Sequence, residues 1–487
     1  MRQPAAVVLV SCYELGRQPF NLASPWAQLE AAGFDVVGID VAVEPLPDDI
    51  ARGAQLVAIS VPMHTALRLS MTVAQQLRQQ APEAHFCFYG LYAALNEQHL
   101  LAGCADSVVG GEFEQVLLAL AQALAAGTPP QQVAGLAVAG HAGGGEGGGE
   151  RAHGVLQKLT FMLPQRAGLP SLERYATFFG PSEGEVRKVG YVEASRGCLH
   201  VCRHCPITPV YQGRFFVVPK ALVLADAEQQ IGAGARHITF GDPDFFNGPG
   251  HSMAIARALH QRHPDVSFDV TIKVQHLLRY PQHLAELSQL GCAFVVSAVE
   301  SLSDEVLSKL DKGHNREDIS AALKLCRTLA LTLRPTLVAF TPWTRLDDYV
   351  ALLEWIIAEG LIDAIEPIQL AIRLLIPPGS ALLHSEGDAS WLGPLSLDDF
   401  GYRWTHPDAR MDDLQRQVAN IVEAAANEDW GAVVLRVREA AYQALQQPAP
   451  AVALHHRGFV PRLSEAWFCC AEPSHWQLQR LQPSCGG

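Results

Sequence analysis

Residues 191–206 read Tyr-Val-Glu-Ala-Ser-Arg-Gly-Cys-Leu-His-Val-Cys-Arg-His-Cys-Pro. The apolar run at 191–194 predicts a strand, and the loop after it carries Cys198, Cys202 and Cys205. Iron–sulfur clusters need soft thiolates that converge within a few ångströms, which closely spaced cysteines on one loop provide. Cysteine makes up 11 of 487 residues, so three at fixed spacing are expected by chance roughly 0.006 times in this chain. The pattern is therefore informative by itself. Three ligands leave one iron of a [4Fe–4S] cube open to a chelating molecule. The competing reading is a structural zinc site, with His200 or His204 as the fourth ligand.

Downstream of the loop, apolar runs at 237–240, 268–271, 294–298, 336–340 and 367–370 alternate with helical patterns such as 219–232 and 316–329. With 191–194 they predict six β/α units, a partial (β/α)6 barrel over residues 186–385, with its chemistry at the C-terminal strand ends. Phe240-Gly241-Asp242-Pro243-Asp244 and Val299-Glu300-Ser301 stand at two such ends. The plainer readings there are a turn or helix cap for Asp242 and Asp244, and a salt bridge for Glu300.

Upstream, residues 1–138 alternate five short strands (6–11, 36–40, 56–60, 85–89, 107–109) with helices (24–32, 69–80, 113–126), the pattern of a doubly wound parallel sheet. Residues 139–150, AGHAGGGEGGGE, predict a flexible linker, and 151–185 a connecting segment. Residues 386–487 predict a helical C-terminal region, with amphipathic helix over 412–446 ended by Pro448-Ala449-Pro450. Its tail reads Cys469-Cys470-Ala471-Glu472-Pro473, and adjacent thiols can chelate a soft ion. Cys12 follows the first strand and faces a ligand crevice, whereas Cys87, Cys104, Cys292 and Cys326 sit in apolar runs and read as inert core.

The net charge is −14, which disfavours a nucleic-acid partner. No apolar run is long enough to span a bilayer, and the N-terminus reads as a first strand rather than a signal peptide. Eleven cysteines in a large chain without an export signal point to metal or catalytic use in a reducing cytoplasm.

The stretch from Ser195 to Pro206 resembles the signature of radical S-adenosylmethionine (SAM) enzymes, in particular those with a cobalamin-binding-type domain ahead of the barrel. The resemblance implies that Cys198, Cys202 and Cys205 hold a [4Fe–4S] cluster and that SAM binds its open iron. It places His204 against the adenine, in a position usually held by an aromatic residue. It places Gly241, Asp242 and Asp244 near the SAM amino group, and Glu300 and Ser301 near its ribose and carboxylate; Lys309-Leu-Asp-Lys-Gly313 follows as in many relatives. Glu14-Leu-Gly-Arg-Gln18 and Gly110-Gly-Glu112 resemble the cobalamin-binding fold. The family's cobalt-ligating Asp-x-His-x-x-Gly is absent and His64 and His99 lie in other contexts, so cobalamin is a candidate cofactor only.

The tail resembles the radical SAM group named for its Cys/Sec-Cys-Ala-Glu-Pro ending, which implies a soft-element substrate. Within that group the likeness is to arsinothricin-type biosynthesis. There the 3-amino-3-carboxypropyl group of SAM would pass to trivalent arsenic. Cys469 and Cys470, with Cys485 as a further thiol, would present arsenite, and a flavodoxin or ferredoxin would supply the electron. Two other readings stand beside it. One is 5′-deoxyadenosyl-radical chemistry on an organic substrate, with cobalamin as methyl carrier. The other is an iron–sulfur redox or binding protein, which would not need the motifs at several strand ends.

Overall fold

The computed structural model describes residues 6–140, 160–182, 184–385, 389–425, 428–454, 459–465, 472–473 and 477–478. The N-terminal unit is a six-stranded sheet. Its strands are β1 (Ala6–Ser11), β2 (Asp35–Asp40), β3 (Leu56–Ser60), β4 (His85–Tyr89), β5 (Ser107–Val109) and β6 (Ala137–Val138), in the order β2-β1-β3-β4-β5-β6. The first five run parallel and β6 is antiparallel to β5. β-Branched runs such as Val-Val-Leu-Val in β1 bury both faces. Val8, Val10, Val57 and Ile59 pack on one side, and Val7, Leu9, Leu56 and Ala58 on the other. The order reverses at β1 and β3, and at such a point the strand ends open a crevice.

The second sheet has seven strands. β7 (Thr177–Phe179) lies antiparallel beside β8 (Val186–Val192). A short antiparallel pair, β9 (Ser195–Gly197) with β10 (Phe215–Val217), brackets the cysteine loop. Parallel strands then follow as β11 (His237–Phe240), β12 (Ser267–Thr271), β13 (Cys292–Glu300) and β14 (Thr332–Leu337). A two-stranded hairpin, β15 (Leu392–Ser396) and β16 (Gly401–Trp404), precedes the C-terminal helices, and β17 (Arg462–Leu463) extends the sheet edge through β7. The barrel core runs from Ile238, Phe268 and Val295 out to Tyr349 and Ile356. It continues into Met411, Leu414, Val433 and Val437 of helices Ala409–Ala424 and Trp430–Ala444, which cover its flank.

Three expectations are corrected. Residues 367–370 form a 3-10 turn, Pro367–Leu370, rather than a strand, because Pro367 sits at its first position and lacks the N–H a ladder needs. The sixth barrel position is held a few residues later, where Phe340 N donates to Ile372 O (3.0 Å) and Leu374 N to Phe340 O (2.8 Å) as a single parallel bridge with Arg373. The region after residue 385 also contains the β15–β16 hairpin besides helix. The first and fifth barrel strands begin earlier than expected, at Val186 and Thr332. Most of the expected linker, residues 141–150, lies outside the described residues.

Candidate active site

The cysteine loop is fixed by backbone geometry first. Gly197 has φ of +76°, and a Cβ there would stand 2.5 Å from Arg214 O and Tyr211 Cδ1, so only glycine lets β9 turn into the loop. Cys198 N donates to Arg214 O (3.1 Å), Arg203 N to Leu310 O (3.0 Å) and Cys205 N to Cys202 O (3.1 Å). Asn247 braces the entry. Its Oδ1 accepts from Leu199 N (3.2 Å) and its Nδ2 donates to Gly197 O (3.4 Å). Thr208 Oγ1 donates to Cys202 O (2.9 Å) at the exit. Cys198 and Cys202 are buried and Cys205 is half-buried, all three as free thiols. Burial pushes the Cys198 thiol up to about 11 and Cys205 to about 12, so these two stand as neutral thiols that a bound cation would ionise. Three thiols on one loop, with no fourth cysteine in that loop, fit a [4Fe–4S] cluster with one open iron. His200 and His204 both turn to carboxylates instead of completing a zinc tetrahedron.

These two histidines flank Cys202 and clamp the loop to two barrel strand ends. His204 Nε2 lies 3.3 Å from Glu300 Oε1, which also accepts from Lys312 Nζ at 3.0 Å. Glu300 ends β13 at φ +65°, in the left-handed region that a non-glycine residue adopts at a cost, and a register shift marks the strand there. Burial opposes its charge, but Lys312 and His204 outweigh that and hold the carboxyl far below the usual range. Ser301 Oγ accepts from Ser303 N (3.1 Å), a local turn ahead of helix Asp304–Lys309.

The other strand end differs. Asp242 turns inward, where Ser195 Oγ (2.5 Å) and Ala194 N (3.0 Å) donate to it, and burial raises its carboxyl to about 7. It ties the second barrel strand to the first rather than opening to a ligand. Gly241 admits Tyr191, whose hydroxyl would lie 1.9 Å from a Cβ. Asp244 uses Oδ1 to cap Phe246 N (3.0 Å) and presents Oδ2 to His200 Nε2 (3.2 Å) and His276 Nδ1 (2.7 Å). Lys273, 9 % exposed after β12, lies close enough to lower the Cys198 thiol against its burial. His276, Lys273 and Asn247 are not singled out by the sequence reading. Lys312 lies in the quoted 309–313 stretch, which was its only signal.

The N-terminal sheet turns its C-terminal strand ends toward this loop. Arg196, beside Cys198, donates from Nη1 to Glu112 (3.0 Å) and Glu114 (2.7 Å) and from Nε to Glu193 (2.9 Å). Tyr211 OH donates to Glu112 (2.9 Å). A cavity of about 400 Å³ opens at the β1 and β2 ends, lined by Cys12, Tyr13, Val41 and Tyr175, with Glu465 and Gln477 of the tail on its far side. Glu14 Oε1 is buried after β1 without a hydrogen-bond partner, and the hydroxyls of Ser11 and Ser60 end β1 and β3 beside Asp40 and Tyr89, a polar seat at these strand ends. No histidine follows β1, where the chain reads Cys12-Tyr13-Glu14-Leu15-Gly16. His64 is wholly buried with Nε2 2.8 Å from Glu472, and His99 packs edge-on to Phe400. The residues fit a cobalamin seated on the strand ends without an imidazole from the β1 loop.

The tail crosses this same face. Ser464 N donates to Thr177 O (2.8 Å), Glu465 accepts from Tyr13 OH, and Glu472 meets His64 Nε2 (2.8 Å) and Arg68 Nε (3.2 Å). Cys469, Cys470 and Cys485 lie outside the described residues.

Comparison with known proteins matches residues 192–354 to the Radical SAM superfamily and residues 6–121 to the B12 binding domain. Among curated proteins, the chain is 26 % identical over 187 residues to the ribosomal protein uS12 methylthiotransferase RimO of Cereibacter sphaeroides, covering 35 % of this chain and 39 % of that one. It is 26 % identical over 193 residues to RimO of Alkalilimnicola ehrlichii, covering 36 % and 43 %. The chain thus spans about two-fifths of the length of these relatives. Among solved structures, the cobalamin-dependent SAM radical enzyme OxsB with aqua-cobalamin bound superimposes with a TM-score of 0.64 at 14 % identity, over 85 % of this chain and 66 % of that one. The radical SAM methyltransferase TsrM from Kitasatospora setae, with tryptophan and a SAM analogue, gives 0.63 at 16 % identity, over 88 % and 89 %. These likenesses establish the fold, a B12-type sheet ahead of a radical SAM half-barrel. The domain pair is the one that carries a [4Fe–4S] cluster, SAM and cobalamin.

Proposed function

From a chain that joins a B12 binding domain to a radical SAM domain, we propose a radical SAM transferase that moves an alkyl group from SAM to a soft acceptor. In its finer form, the group is the 3-amino-3-carboxypropyl arm of SAM and the acceptor is trivalent arsenic. A bound [4Fe–4S] cluster would supply one electron to the sulfonium, so that a C–S bond breaks to methylthioadenosine and an alkyl radical; addition to As(OH)3, with a second electron from the same external reductant and a proton, would release water and leave the As–C bond. Cys198, Cys202 and Cys205 hold that cluster. Glu300, kept ionised by Lys312 and His204, offers a fixed negative charge at the strand end for SAM's polar groups, and Ser301 beside it offers a neutral hydroxyl. Asp242 and Gly241 act through Tyr191 and Ser195 to shape the floor of the site rather than by direct contact.

The observation that carries the soft-acceptor reading is the latch of Glu472 on His64 and Arg68. Glu472, the fourth residue of the tail motif, stands on the N-terminal strand-end face, which turns toward the cluster loop. Arsenic(III) is thiophilic, and paired thiolates suit it. The test is anaerobic: reconstitute the cluster, add SAM and dithionite with and without arsenite, and identify the fragments by mass spectrometry. Methylthioadenosine together with an aminocarboxypropyl–arsenic product is expected. Full arsenic-dependent turnover in Cys469→Ser/Cys470→Ser would overturn the role of the tail.

The second reading is cobalamin-dependent methyl transfer to an organic substrate, supported by the match to the B12 binding domain. It predicts 5′-deoxyadenosine or S-adenosylhomocysteine among the products, and dependence on added cobalamin.

A further inference from the structure

His200, Asp244 and His276 converge beside the cluster loop from three different elements. His200 comes from the loop, Asp244 from the end of β11, and His276 from helix Val274–Arg279 after β12. Their ligating atoms all lie within 4.8 Å of one another. Asp244 is 1 % exposed and His276 7 %. We propose that these three side chains bind a divalent transition cation of the zinc or ferrous type, separate from the iron–sulfur cluster.

Three observations lead there. His276 Nδ1 and His200 Nε2 lie 2.7 Å and 3.2 Å from the same oxygen, Asp244 Oδ2, so two imidazoles and a buried carboxylate meet at one point. A divalent cation there would take the place of the protons that join them. Next, the Asp244 carboxylate is oriented from behind, since Phe246 N occupies Oδ1 and leaves Oδ2 to the two imidazoles. Metal-binding carboxylates are held in this way by outer hydrogen bonds. Finally, two imidazoles and one carboxylate suit borderline first-row cations, which they bind at about 2.0–2.2 Å, rather than magnesium or calcium. Ligand atoms around such an ion stand roughly 3–3.5 Å apart, so His200 closes by a small side-chain rotation. Three protein ligands leave at least one position for a water or a substrate oxygen.

The holoenzyme tests this with zinc alone. Protein reconstituted to a full cluster's iron is equilibrated with micromolar zinc sulfate, washed, and analysed by elemental mass spectrometry and zinc-edge X-ray absorption. One zinc per chain is expected, with a nitrogen/oxygen shell at about 2.0–2.2 Å and no sulfur at about 2.3 Å. His276→Ala and Asp244→Asn should weaken zinc binding at least about tenfold while the cluster iron stays. Absence of zinc from fully clustered wild-type protein overturns the proposal, as does a sulfur shell, which would put the ion in the cysteine site. Equal zinc binding by the two variants overturns it too. The wild-type absorption spectrum decides the matter even if neither variant folds.

Discussion

At the scale of single residues, the site is a set of buried charges whose partners decide their state. Glu300 is the clearest case. Lys312 and His204 hold its carboxyl far below the value it has in an unfolded chain, against the opposing effect of burial. A depressed carboxyl contributes stability above its unfolded pKa of about 4.3, and that contribution drains away as pH falls toward the folded pKa. Glu300→Gln removes the charge and strands Lys312, which is 3 % exposed, in a buried position. At pH 7 we expect a loss of roughly 3–5 kcal/mol, read as a lower Tm of the apoprotein. The gap between wild type and variant should narrow from pH 5 down to 3; a gap constant across that range would refute the assignment. The cysteines give a sharper expectation. Each of Cys198→Ala, Cys202→Ala and Cys205→Ala should abolish the visible absorbance of the reconstituted cluster and all SAM cleavage, with little change in circular dichroism.

At the scale of elements, β9 and the loop after it join the two domains. Arg196 is 9 % exposed and surrounded by Glu112, Glu114 and Glu193. Without it two buried carboxylates and the half-buried Glu193 face one another. Arg196→Gln should therefore cost about 3–5 kcal/mol and raise hydrogen exchange across residues 107–126, whereas Tyr211→Phe, which removes one hydrogen bond to Glu112, should cost only about 1–2. Equal effects would mean that the guanidinium is not the joint. Legibility in the sequence follows the same physics. The N-terminal strands are legible because each is an apolar run between turn signals, and β1, β3, β4 and β5 carry the expected limits. The cysteine loop is legible because its ligands are close in sequence. Pro367–Leu370 misleads because an apolar run of four suits strand and turn alike. The β15–β16 hairpin hides because Gly393 and Pro394 interrupt its alternation. The pairing of His200 with Asp244, 44 residues apart, exists only once β8, which leads into the cysteine loop, lies beside β11 in the sheet.

At the scale of the whole molecule, the tail is what distinguishes this assembly from a barrel with a sheet attached. It leaves the barrel edge at β17, passes Tyr13 at the β1 loop and reaches His64 and Arg68 beyond β3. The energetic value of the latch is small, because the Glu472 side chain is 57 % exposed and ion pairs at that exposure contribute about 0–1 kcal/mol. Its kinetic value is larger if the Cys469–Cys470 pair delivers substrate, since tethering sets the effective concentration at the acceptor site. Glu472→Gln keeps the size and loses the charge. Its Tm should stay within the spread of wild type, while hydrogen exchange over residues 462–478 rises. Arsenite-independent SAM cleavage should be unchanged, because the cluster loop and its clamps do not involve residue 472. The fraction of cleaved SAM recovered as the arsenic product should fall severalfold. A variant that loosens the tail yet couples as well as wild type would show that the pair works untethered. Uncoupling without loosening would instead place Glu472 itself at the acceptor.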